Sequence, residues 1–204
     1  MGYSIGDKIM HPNFGAGRIT GESHRELVKG FEHYYVINVV GTGATAYVPV
    51  RKMDELGVRQ VMSRDKLAQV FNTLRGTPRE LSTDYKQRQM LVQEQLLTRR
   101  PIQVAKAVRD LTWHRKLKRL TQKDATLLGQ GLELLASEMA LATDTEISDA
   151  EQTIESVLTV ATTSEPDGQA GLREAGANPM LTSEALVQKL LSGVVGDQGV
   201  SAVA

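Results

Sequence analysis

The sequence predicts an α+β protein: a small N-terminal antiparallel β-barrel of SH3-like or Tudor-like type, then an all-α domain of about five helices. Three observations carry this. Six of the nine aromatic residues (Tyr3, Phe14, Phe31, Tyr34, Tyr35 and Tyr47) lie in the first 47 residues, among turn formers. Helix formers take over after Val50 and dominate to about Ala161. The chain has 204 residues, 41% of them hydrophobic and 24% charged, which suits one or two domains with a real core.

In chain order, "DKIMHPNFGAGRITGES" holds two short strands split by His11-Pro12-Asn13 and Gly15. "HYYVINVV" (33–40) is rich in β-branched and aromatic residues. Gly41-Thr42-Gly43 makes a hairpin turn, and "ATAYVPV" (44–50) returns. Short strands and turns packed this densely suggest a small barrel over residues 1–55.

The helices follow over residues 56–162. "SRDKLAQVFNTLRG" sets Leu67, Val70, Phe71 and Leu74 on one face, with Gly76 past its end. "STDYKQRQMLVQEQLLTRR" offers Ser82 and Thr83 as N-caps. "PIQVAKAVRDLTW" opens on Pro101, a favoured first helical residue. "TQKDATLLGQGLELLASEMALAT" pairs Thr121 with Asp124, a weak form of the capping box. "SDAEQTIESVLTVA" starts at Ser148, with Asp149 and Glu151 suited to a helix N-terminus. Gly76-Thr77-Pro78 is the clearest break. Residues 163–204 read as a polar, Gly- and Ala-rich disordered tail in which "SEALVQKLL" (183–191) could form a short helix.

The formal net charge is zero, but the charge is segregated. Residues 1–98 carry a net +3, residues 99–123 a net +8 and residues 124–204 a net −11. A +8 block within 25 residues can bind a polyanion, or can pair with the acidic segment after it. Inside the block stands the sole tryptophan, Trp113, with Arg109, Arg115, Lys116, Lys118 and Arg119 around it.

On an ideal helix over 102–120 with Val104 at 0°, Val108 falls at about 40° and Leu111 at about −20°. Trp113, Leu117 and Leu120 fall at about 180°, 220° and 160°, opposite that apolar stripe. Either the helix bends or stops near Trp113 so that these three enter a second core layer, or the segment is buried on both sides, which its many cations oppose, or Trp113 faces outward. An exposed indole among cations has a physical use. Cations hold phosphates without reading sequence, and a flat apolar ring can wedge at a base step or stack on an unpaired base.

Catalytic and metal patterns are lacking. Gly41-Thr42-Gly43 lies between strands, so it does not form a phosphate loop. His11, His24, His33 and His114 are scattered without helical metal-ligand spacing, and there are no cysteines. No G-x-S-x-G elbow occurs. The expectation is a non-enzyme with no cofactor, no metal and no small-molecule substrate. No basic n-region with an apolar h-region, and no apolar run near 20 residues, points to export or a membrane, so a cytoplasmic monomer is expected.

"YSIGDKIMHPNFGAGRI", "KGFEHYYVINV", "YVPV", "VRDLTWHRKLKRLTQKD" and "LLASEMALAT" together resemble the CarD/CdnL family of bacterial transcription regulators over about residues 1–162. The resemblance implies a Tudor-like barrel, shared with transcription-repair coupling factors, that grips the RNA polymerase β subunit. It implies a helical domain that contacts promoter DNA, giving nucleoid association when bound to polymerase. Trp113 matches the family tryptophan that wedges into the minor groove at the upstream edge of the bubble and stabilises the open complex. Arg115, Lys116 and Arg119, with Lys118 and Arg109, are the matching phosphate contacts. For polymerase, Arg25 falls where the family often has an arginine between the second and third strands. Tyr47 stands where a second family arginine precedes V-P, and Arg51 is near enough to substitute. The alternatives are a protein–protein adapter, or a Tudor-like RNA-binding module using the barrel aromatics.

Overall fold

The computed structural model describes residues 2–163. Thr163, expected to open the tail, ends the last described helix; the rest of the expected tail, with its short helix at 183–191, lies outside the described residues. Five strands, β1 (Lys8–His11), β2 (Gly15–Val28), β3 (Phe31–Val39), β4 (Thr45–Pro49) and β5 (Arg59–Gln60), precede five helices. The helices are α1 (Arg64–Arg75), α2 (Tyr85–Leu97), α3 (Pro101–Leu117), α4 (Gln122–Thr143) and α5 (Ile147–Thr163). The layout is α+β.

The strands form one antiparallel sheet in the order β4-β3-β2-β1-β5. The sheet is open, so the expected barrel is not closed. β5 has only two residues and pairs with β1 alone, leaving β4 and β5 as edges. A single 3₁₀ turn at Val50–Lys52 and the loop after it cover the gap, placing Met53 and Val58 against Ile9, Ile19, Tyr35, Ile37 and Val48. β2 is longer than expected, and register breaks at Ile19/Gly21 and His24/Val28 bend it. Arg25 therefore lies within β2, not in a connection; the turn to β3 is Lys29-Gly30, with Gly30 at φ 87°. The sheet also draws its fifth strand from beyond residue 55.

The helices share one core of Leu67, Val70, Phe71, Leu74, Val104, Val108, Leu111, Leu135, Met139 and Ile154 among others. α1 is capped by Ser63, whose side chain accepts from Lys66 N. The α2 cap is Asp84, not Ser82 or Thr83, and it accepts from Lys86 N. α5 starts at Ile147, and Ala150 N donates to Glu146 O, so Ser148 lies inside the helix. The Thr121–Asp124 capping box of α4 is complete.

Sheet and helices dock through α4. Met10, Ala16 and Leu141 make a small shared apolar patch with Val40 and Val61 against it. Buried Glu138 accepts from both terminal nitrogens of Arg59 and from Met62 N, at 2.5–2.9 Å. Asp144, the left-handed C-cap of α4 (φ 55°), pairs with Lys8 and Arg18.

Candidate nucleic-acid interface

α3 is the central helix. Val104, Val108 and Leu111 are all buried, as the wheel predicts. Burial extends to Ala105, Ala107, Asp110, Thr112 and His114, because α1, α2 and α4 all pack on it. Trp113 lies opposite the stripe and is half-buried, at the rim of this packing.

The helix does not run on to Leu120. It ends at Leu117, and Lys118 is extended (φ −146°, ψ 152°) because the chain must turn into the Thr121 cap of α4. This separates the two leucines that an unbroken helix would group with Trp113. Leu117 is 59% exposed, whereas Leu120 turns inward onto the helical core.

Arg115, Lys116, Lys118 and Arg119 are exposed, and none makes an ion pair or hydrogen bond through its side chain among the described residues. The acidic residues of α4 and α5 therefore do not neutralise them there. Arg115 and Lys116 also sit in the last turn of α3, where the helix dipole favours cations.

Arg109 departs from this group. Its Nε donates to Asp110 Oδ1 at 2.8 Å and its Nη1 to Thr73 O at 3.2 Å, and Asp110 Oδ1 also accepts from Arg79 N. Arg109 ties α3 to the end of α1; its guanidinium is not free for phosphate. The sequence hides this, because a cation less than two turns before a basic run looks like part of it.

Sequence reasoning missed the support beneath the surface. Arg88 of α2 is buried and donates to both oxygens of buried Asp124, at 2.7 and 3.3 Å, and to Ser82 O at 2.8 Å. Burial disfavours the Asp124 charge, but bonds from Arg88, Thr121 Oγ1 and Thr121 N outweigh it and hold the carboxyl at about 2. His114, next to Trp113, is buried beside this pair; burial, then Arg88 and Lys118, lower its pKa against the opposing effect of Asp124. The pair fixes the α3–α4 turn that carries the cations. Only Asp124 had a signal, its cap spacing.

At the sheet, Arg25, Tyr47 and Arg51 are all exposed. Ser23 pairs with Tyr34, Tyr34 with Pro49 and Val36 with Tyr47, so these residues share the face turned away from the sheet's own core. Arg25 Nε donates to Ser23 Oγ at 3.3 Å, which puts Arg25 on that face with Tyr47. Tyr47 stands on edge strand β4 and is 42% exposed. Tyr34 and Tyr35 are both buried, and their hydroxyls bond to Val28 N and Tyr3 O. Neither is available to stack on a base, which removes the central aromatics of an RNA-binding sheet.

Two family models match this architecture in order: the CarD-like/TRCF RID domain over residues 3–62, and the CarD C-terminal domain over residues 69–155. The chain belongs to the CarD family. The first match spans the whole sheet, including β5, and carries Arg25, Tyr47 and Arg51. The second spans most of the helices and carries Trp113 with its cations. A relative in Bacillus subtilis (strain 168), named as a candidate transcription factor, YdeB, is 27% identical over 137 residues, covering 67% of this chain and 90% of its own length.

Proposed function

We propose that this chain is a transcription regulator that binds RNA polymerase through Arg25, Tyr47 and Arg51 of the sheet domain and promoter DNA through the end of α3. The polymerase partner is its β subunit. Trp113 acts as a wedge at the upstream edge of the bubble and slows closure of the opened duplex. No bond chemistry, cofactor or small molecule takes part, and the chain acts as a cytoplasmic monomer.

The observation that carries this reading is the half-buried Trp113 beside four exposed cations that lack acidic partners among the described residues. Half-burial suits a wedge: the packed part holds the ring in place while the rest meets DNA. Base–aromatic stacking is worth about 1–3 kcal/mol, so one indole can shift an opening equilibrium by about tenfold or more. Family membership and the name of the Bacillus relative support the same reading.

The test is promoter opening by purified polymerase with wild type and Trp113→Ala. The variant should bind polymerase and keep its circular dichroism, yet lose most open-complex stabilisation. Arg115→Glu with Lys116→Glu should weaken DNA binding and flatten its salt dependence, by a slope of about 0.9 for each phosphate no longer neutralised. Full opening by Trp113→Ala would remove the wedge. An adapter that does not touch DNA would show no cross-link from position 113 to the promoter.

A further inference from the structure

The geometry points to a divalent transition-metal site on the β2–β3 ladder, formed by Glu22, His24 and His33. Glu22 and His24 are two apart on β2, so their side chains leave the same face of the strand. His33 is the direct cross-strand partner of His24, which brings it to that face as well. The three donor atoms lie within 4.8 Å of one another. Nε2 of His33 is 2.7 Å from Glu22 Oε2, and Nε2 of His24 is 4.0 Å from the same oxygen. Donors bound tetrahedrally at about 2.0–2.2 Å stand roughly 3.3–3.5 Å apart, so the two observed separations bracket what an ion requires. Side-chain rotation, with no change in the backbone, brings them to that spacing.

The backbone that carries the donors is regular. Gly21 to His24 pair in unbroken register with His33 to Val36, between the two breaks of β2. The imidazoles stack, with centroids 4.4 Å apart and planes 15° from parallel, so the strand register already brings them side by side and binding requires the two rings to turn until both lone pairs meet at one ion. A hollow of about 500 Å³ beside them, lined by His24, Phe31, Glu32, His33, Val50 and Arg51, leaves room for water in an open coordination position.

Two imidazoles and one carboxylate form the donor set of a zinc-class ion with an open fourth position, not of Mg²⁺ or Ca²⁺, which take oxygen ligands. Arg51 in the same hollow reinforces that choice, because it opposes an ion held by charge alone. The hollow shares Arg51 with the proposed polymerase contacts, but the metal site needs neither polymerase nor DNA and can be tested on the free protein.

The experiment is calorimetric titration of the untagged full chain with ZnCl₂, alongside histidine ring NMR. One ion per chain is expected, with the His24 and His33 resonances shifting while His11 and His114 stay in place. His24→Gln, His33→Gln and Glu22→Gln should each weaken binding at least about tenfold, since even outer-sphere changes cost that much. All three are surface positions, so circular dichroism should be unchanged. His11→Gln should retain binding. Absence of stoichiometric binding, or binding that survives His33→Gln (an adventitious ion only), would overturn the assignment.

Discussion

At the scale of single residues, the consequential group beneath the α3–α4 surface is Asp124. Its carboxyl is fully buried and held at about 2, against an ordinary 3.8. A depressed folded-state value adds stability that is complete above the ordinary value and disappears as pH falls through the folded one. The shift corresponds to roughly 2 kcal/mol. Asp124→Asn should flatten the acid limb of stability between 3.8 and about 2. At neutral pH it should also cost about 3–5 kcal/mol, because Arg88 is left charged, buried and unpaired. Urea titrations across that range measure both effects. An acid limb as steep as wild type would assign acid sensitivity to other carboxylates, of which Asp144 is the next with a lowered value, through the bond from Lys8.

At the scale of elements, two glycines of α4 make a controlled pair. Gly129 faces open space, whereas a Cβ on Gly131 would meet Val108 Cγ2 at 2.7 Å and Leu96 Cδ2 at 3.3 Å. Gly129→Ala should stabilise by about 0.5–1 kcal/mol through helix propensity. Gly131→Ala gains the same amount but overpacks the α3–α4 crossing, at a cost of about 1–3 kcal/mol, so the net sign reverses. Melting temperatures should move in opposite directions; a parallel rise would mean that α3 can yield at Val108. The contrast also shows what was legible in the sequence. Apolar stripes marked α1 and α3, Pro101 marked the start of α3, and polar cap candidates marked α2, α4 and α5, so all five helices could be read from local sequence. Helix starts shifted by a residue or two, at the Asp84 cap of α2 and at Ile147 of α5, because several polar residues in a row offer equal side chains and tertiary packing chooses among them. The Arg88–Asp124 pair joins residues 36 apart in sequence, and no local pattern encodes that. His24 and His33 looked unrelated for a similar reason: their spacing is meaningless on a helix and becomes a direct pair only through strand register.

For the whole molecule, the question is why the two proposed binding surfaces are fixed to one another. A wedge at a bubble edge acts only if the polymerase-bound part sets its position, and a loose joint would spread Trp113 over many orientations. The joint rests on Glu138, which is 2% exposed and accepts three hydrogen bonds from Arg59 and Met62 at the end of the sheet. Arg59 Nη2 also donates to the carbonyl of Arg99, the left-handed residue (φ 52°) between α2 and α3. One guanidinium thus links the sheet to both α4 and the entry of α3. The Lys8–Asp144–Arg18 cluster is more exposed and contributes little, on the order of 1 kcal/mol or less. Glu138→Ala leaves the Met62 amide unpaired and Arg59 bonded only to backbone carbonyls, and should cost about 1–3 kcal/mol at the joint. Unfolding, followed by hydrogen exchange, should then separate into sheet and helix steps. Polymerase binding should persist, since Arg25, Tyr47 and Arg51 lie elsewhere on the sheet, while open-complex stabilisation should fall although Trp113 and its cations are intact. If opening is unaffected once exchange shows the joint loosened, DNA alone positions the wedge and the rigid union of sheet and helices serves stability only.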